Sequence, residues 1–74
     1  MATIEEVVGA LKYLETKFGA PPSVAEVAEQ VGISSATAHK HLKRASKKGL
    51  IVQRKGQFMT NRIARAFEEK GDDQ

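Results

Sequence analysis

Residues 32–51 read GISSATAHKHLKRASKKGLI. Five of these are Lys or Arg, two are His, and none is acidic. Ala38, Leu42 and Ala45 recur at intervals of four and three, so on a helix they share one face. Lys40, Lys43, Arg44 and Lys47 then fall on the opposite, solvent face, with His41 beside the apolar stripe. A solvated helix ordinarily mixes charges of both signs. Lys47 and Lys48 ahead of Gly49 would suit the negative end of a helix dipole, an effect of about 0.3–1 kcal/mol confined to the last turn. That effect does not reach Lys40 or Lys43, so the single sign of this helix needs another reason.

The flanking sequence sharpens the point. Residues 1–29 carry two Lys against five Glu. Residues 30–67 carry nine Lys or Arg and no acid, and residues 68–74 one Lys against four acids. The formal net charge of +3 thus conceals a basic middle between acidic ends. A polyanionic partner is the natural reading, and a basic face kept for solubility is the plain alternative. At 74 residues the chain is one small domain near the lower limit for a self-supporting core, and 41% hydrophobic content makes a modest core feasible. It has no cysteine, which excludes disulfides and thiolate metal sites. His39 and His41, two apart, face different ways on a helix and make a poor metal pair. No metal or cofactor is expected. No apolar run approaches the roughly 20 residues of a membrane span, and MATIEEVV lacks the basic region of a signal peptide. The expectation is a soluble, cytoplasmic, nucleoid-associated protein.

Working outward along the chain, Thr3-Ile-Glu-Glu6 fits a capping box opening a helix over about 3–18. Ile4, Val7, Val8, Leu11, Leu14 and Phe18 form its apolar stripe. Gly9 is a mild cost within it and leaves room for a close neighbour. Gly19 and Ala-Pro-Pro stop the helix. Ser23-Val-Ala-Glu26 is a second capping box, and Val24, Val27, Ala28 and Val31 line a short helix over about 24–31, ended by Gly32. Ile33 plugs the core at the turn, and Ser34 or Ser35 caps the third helix, about 35–48. A short helix, a glycine turn and a second helix make a helix-turn-helix. Leu50 to Arg54 and Gln57 to Thr60 read as two strands joined at Lys55-Gly56, a hairpin over about 50–60. Residues 61–70 are helix-prone, with Ile63 and Phe67 four apart, either completing the core or forming an interface. Residues 71–74 read as an acidic disordered tail, leaving 1–70 as a single domain. The fold class is therefore mostly α with a small β-hairpin: a three-helix core, a two-stranded wing and an additional helix.

The elements that carry a family likeness are Pro21-Pro22-Ser23, Glu26-Val27-Ala28, Val31-Gly32-Ile33-Ser34, His41-Leu42-Lys43 and Lys48-Gly49-Leu50-Ile51. Together they resemble the winged helix-turn-helix DNA-binding domains of LexA, MarR and similar bacterial regulators, across roughly residues 3–60. Pro-Pro-Ser and His-Leu-Lys are similar to LexA in particular. Many relatives have valine where this chain has Ala38 and leucine where it has Ala45, so the third helix should sit closer to the first. LexA repressors carry a self-cleaving second domain; nothing in these 74 residues predicts self-cleavage.

The resemblance implies that helix three is a recognition helix in the major groove, with the wing on backbone or minor groove. Early residues of such a helix reach base edges and later ones meet phosphates. On this chain the early exposed residues are Ser35, Ala36, Thr37, His39 and Lys40, and the phosphate candidates are Lys43, Arg44, Lys47 and Lys48. Arg54 and Lys55 belong to the wing. Ser23 and Ser34 are helix caps first; the amide and dipole at Ser23 could also meet a phosphate. The leading expectation is a sequence-specific double-stranded DNA-binding transcription regulator, whose specificity would need a dimer or a larger partner, with residues 61–70 the candidate interface for a homodimer. The rival is a protein-interaction module that docks on polymerase or another regulator and binds DNA weakly. Single-stranded nucleic acid is disfavoured, because the aromatics Tyr13, Phe18, Phe58 and Phe67 mostly read as core. No nucleophile, base and orienting group converge, so no enzyme is expected. Nor is a small-molecule ligand, since one small core leaves no room for a sizeable cavity.

Overall fold

The structure is a computed structural model that describes residues 3–71, with side chains through Ala66. In chain order its elements are α1 (Ile4–Phe18), α2 (Val24–Val31), α3 (Ser35–Lys47), β1 (Val52–Arg54), β2 (Gln57–Met59) and α4 (Asn61–Gly71). Three helices, a hairpin and a fourth helix make the winged helix-turn-helix order.

Each of the first three helices starts where a side chain satisfies orphan amides. The Thr3 hydroxyl accepts the Glu6 N–H at 3.2 Å, while the Glu6 carboxylate accepts the Thr3 N–H at 2.9 Å. Ser23 and Glu26 repeat the exchange at 3.1 and 2.8 Å for α2. Ser34, rather than Ser35, caps α3, accepting the Thr37 N–H at 3.2 Å. Between α2 and α3 the chain turns through Gly32 at φ 86°, a left-handed conformation cheap only without a Cβ. The Ala28 carbonyl accepts the N–H groups of both Gly32 and Ile33, and Ile33 is left half-buried against the core.

α1 packs on both α2 and α3. Val7, Leu11 and Val27 are fully buried, and so are Ala38, Leu42 and Ala45 on α3. Ile51 and Phe58 close the core from the hairpin side. β1 and β2 are antiparallel, pairing Val52 with Met59, Gln53 with Phe58 and Arg54 with Gln57. The connecting turn is the two-residue Lys55-Gly56, with φ of 51° and 80°. Positive φ at both central residues is the I′ turn, whose twist matches the flanking strands.

Several features depart from the sequence reading. Phe18 and Tyr13 are 48% and 52% exposed, so neither is core. The last inward position of α1 is Glu15, only 6% exposed. Its carboxylate accepts the Thr60 N–H at 2.7 Å and the Thr60 hydroxyl at 2.6 Å. Thr60 in turn offers its carbonyl to the Ala64 N–H as the first bond of α4. The strand expected from Leu50 begins only at Val52, and Leu50 is 47% exposed. The reason is the exit from α3: the Leu50 N–H donates to Ala45 and the Gly49 N–H to Ser46, the paired bonds of a Schellman motif. Those residues finish a helix and are not free to start a ladder. Along α4 it is Ala64 that is buried, while Ile63 is half-covered. α4 rests on β1 and β2, and the Phe67 side chain lies outside the described residues. Of the tail expected over 71–74, Gly71 closes α4 and the remainder lies outside the described residues. Gly9 has no close neighbour: it is exposed, and a Cβ built there meets nothing within 4 Å.

Two stability predictions follow directly. Gly9→Ala should stabilise the domain by up to about 1 kcal/mol through helix propensity, raising Tm by roughly 4–8 °C for a domain of this size. Calorimetry checks it; a lower Tm would mean that the space beside Gly9 is occupied. Glu15→Ala should destabilise by about 2–3 kcal/mol, because it strips a charged acceptor from two buried donors. Glu15→Gln should cost less, since its amide oxygen still accepts one of them. Hydrogen exchange should show α4 amides accelerated more than those of α2; equal acceleration would refute the tether.

Candidate nucleic-acid interface

α3 is amphipathic in an unusual sense. One face is fully buried through Ala38, Leu42 and Ala45. Ser35, Thr37, His39, Lys40, Lys43, Arg44 and Lys47 are all exposed, as is Lys48 just after the helix. Because the buried face consists of small and aliphatic groups, every cation of the helix is forced outward. No acid on α3 offsets them.

The first turn is ordered by its own cap. Besides accepting the Thr37 N–H, the Ser34 hydroxyl donates to Thr37 Oγ1 at 2.9 Å. That leaves the Thr37 hydroxyl proton to donate outward and holds its methyl in one rotamer. Ser23 is more committed than the sequence suggested: its backbone N–H already donates to the Glu26 carboxylate. The amide assigned to a phosphate is therefore taken, and what remains at that position is the dipole of α2.

The two histidines separate. The exposed His39 meets Phe58 of β2 edge to face, with ring centroids 5.6 Å apart and planes at 78°. An offset, T-shaped contact of this kind is the favoured aromatic geometry. It pins the hairpin beside the first half of α3, so His39 is in the first place a packing residue. His41 is half-buried beside the apolar stripe, and its Nδ1 is buried without a hydrogen-bond partner. Among the described residues no cluster of His, Asp or Glu could hold a metal ion. No described helix is long and apolar enough to cross a membrane.

Arg54 and Lys55 are exposed at the hairpin tip, on the strand pair that His39 holds against α3. Arg54 and Lys55 thus belong to a hairpin packed against α3, and Ser23 caps the start of α2. Lys55 occupies left-handed backbone at φ 51°, where Asn or Gly would sit with less strain. A reading from sequence had no access to the His39–Phe58 contact, which joins residues far apart in the chain. The Lys55 strain was legible: a two-residue loop ending in Gly implies positive φ at both positions.

Comparison with known proteins agrees with the fold. The family model described as LexA DNA binding domain matches residues 4–60. The chain is 50% identical over 48 residues to the LexA repressor of Shouchella clausii, covering 64% of this chain and 23% of that protein. It is 62% identical over 34 residues to the LexA repressor of Brevibacillus brevis, covering 45% of this chain and 16% of that one. The chain therefore spans less than a quarter of the length of these relatives. No solved structure matches it. Through a match that spans all three core helices and the wing, the chain belongs to the LexA DNA-binding-domain family.

Proposed function

We propose that this chain binds double-stranded DNA as a transcription regulator, laying α3 in the major groove and the wing along the adjacent backbone or minor groove. The observation that carries the reading is the exposed, acid-free face of α3. A major groove about 12 Å wide admits one helix, and an acid at this face would repel its phosphate walls.

Ser35, Thr37 and Lys40 stand earliest on the exposed face and are assigned to base edges. Lys40 supplies donors for the paired acceptors of guanine, and the Thr37 methyl suits the thymine methyl. Lys43, Arg44 and Lys47 are assigned to phosphates, whose neutralisation releases counterions and supplies most of the affinity. Arg54 and Lys55 reach the flanking backbone. Ser34 acts through Thr37, and His39 acts through the wing. The Ser23 N–H is engaged by Glu26, so at that residue it is the helix dipole that favours a phosphate. A single recognition helix reads few base pairs, so a regulatory site calls for a second module, which residues 61–70 would recruit.

The test is selection of bound duplexes from a random pool at near-physiological salt. The parent should recover a defined motif. Lys40→Ala should relax one position of it, at about 1–3 kcal/mol of lost discrimination. Lys47→Ala should instead weaken all sequences alike and lower the slope of log K against log salt by about 1. Binding without any motif would overturn sequence-specific regulation and favour a protein-docking role.

A second prediction concerns the wing tip. Lys55→Asn relieves left-handed strain and should raise stability by up to about 1 kcal/mol, yet weaken DNA binding by removing a cation. Thermal melts and binding isotherms on the same protein check it; unchanged affinity would remove the wing tip from the interface.

A further inference from the structure

Ser34 caps α3, and Thr37 lies in the first turn of that helix with its side chain exposed. The Thr37 N–H donates to Ser34 Oγ at 3.2 Å, and the Ser34 hydroxyl donates to Thr37 Oγ1 at 2.9 Å. The first bond is an ordinary cap. The second is not needed for capping, and it sets the chemistry of the exposed side chain. A hydroxyl has one proton and two lone pairs. At Thr37 one lone pair is taken by Ser34, and the proton meets no acceptor among the described residues. A helical threonine ordinarily divides between two rotamers, because its hydroxyl can turn back to a carbonyl of the preceding turn. Here Oγ1 is committed to Ser34 instead, so the γ-methyl and the free proton keep one relation to each other.

We infer that Ser34 is a positioning residue that makes Thr37 a reader of thymine against cytosine. The inference rests on the reading that α3 lies in the major groove, and deepens it. Thymine presents there an O4 acceptor beside a C5-methyl group, whereas cytosine presents an N4 amino donor in place of O4 and has no methyl. A donor and a methyl on one side chain match both features of thymine. Against cytosine the Thr37 proton meets another donor, and turning it aside leaves it without a protein partner. Ser35 and Lys40 carry donors without a methyl, and Ala36 a methyl without a donor, so Thr37 alone on the early exposed face carries both. The sign of the preference belongs to Ser34. Ser34→Asp keeps a cap, since Asp serves there as well as Ser. A carboxylate only accepts, however. It would take the Thr37 hydroxyl proton and leave Thr37 Oγ1 facing the groove with lone pairs alone, which suits the amino donor of cytosine.

The experiment starts from the motif that the parent selects, in which Thr37→Ala should relax one position, and that position should be thymine. Affinities are then measured for duplexes carrying thymine, uracil or 5-methylcytosine there. Uracil lacks the methyl; 5-methylcytosine keeps it and exchanges O4 for an amino group. The parent should lose about fourfold on uracil and about tenfold or more on 5-methylcytosine. Ser34→Asp, shown to be folded by a thermal melt, should bind every duplex more weakly through its added charge, yet reverse the order of thymine and 5-methylcytosine. Ser34→Thr, which keeps a hydroxyl to donate, should retain the parent's order. The inference is overturned if Thr37→Ala relaxes no position or one that is not thymine, or if Ser34→Asp keeps the parent's order. Those results leave the DNA reading standing. A parent that selects no motif would overturn that reading, and the inference with it.

Discussion

The seat of α3 against the other helices depends on three side chains, Ala38, Leu42 and Ala45, none of which is exposed at all. With one face so completely used, the helix has no latitude to rotate. Any rotation would draw a lysine toward the core, and a buried unpaired charge is among the costliest things a small domain could carry. The same constraint that stabilises the domain therefore fixes which side chains look outward and in what order. The basic surface is the complement of the packing surface, residue by residue.

A second constraint acts at long range. Glu15 lies at the end of the α1 stripe, where a hydrophobe would have been expected to continue it, and instead carries two hydrogen bonds to Thr60. The carboxylate is buried, but both its oxygens are engaged, which is the condition under which a small core tolerates one. Because Thr60 stands between β2 and α4, this one residue sets where the hairpin ends and where the last helix begins.

Much of the architecture was legible because it is local. Capping boxes, terminating glycines and the spacing of Val7, Leu11 and Leu14 all act within a few residues, and the helix ends fall where those signals stand. What escaped was either non-local or a matter of competition between neighbours. Glu15 and Thr60 are 45 apart in sequence, and nothing near either one announces the other. Leu50 has strand propensity, yet the helix exit claims its N–H first. Phe18 continues the α1 periodicity but lies beyond the core that the eight-residue α2 can build. The exposed cations of α3 were readable from periodicity alone. The division of labour between His39 and His41 was not, since it depends on where Phe58 lands.

The wing is held at its root from two sides. His39 of α3 grips Phe58 within β2, and Glu15 of α1 grips Thr60 immediately after it. Its strands are three residues long and its turn two, so little chain lies beyond those grips. Those two contacts restrain the root of the hairpin before any encounter, and the entropy of ordering it is spent during folding. A ligand that meets it has less backbone to immobilise and pays chiefly for the exposed side chains of Arg54 and Lys55. Preorganisation of this sort lowers the cost of binding without adding a contact. It also ties the geometry of the tip to the integrity of the whole core, so a lesion in α1 would be felt at Lys55.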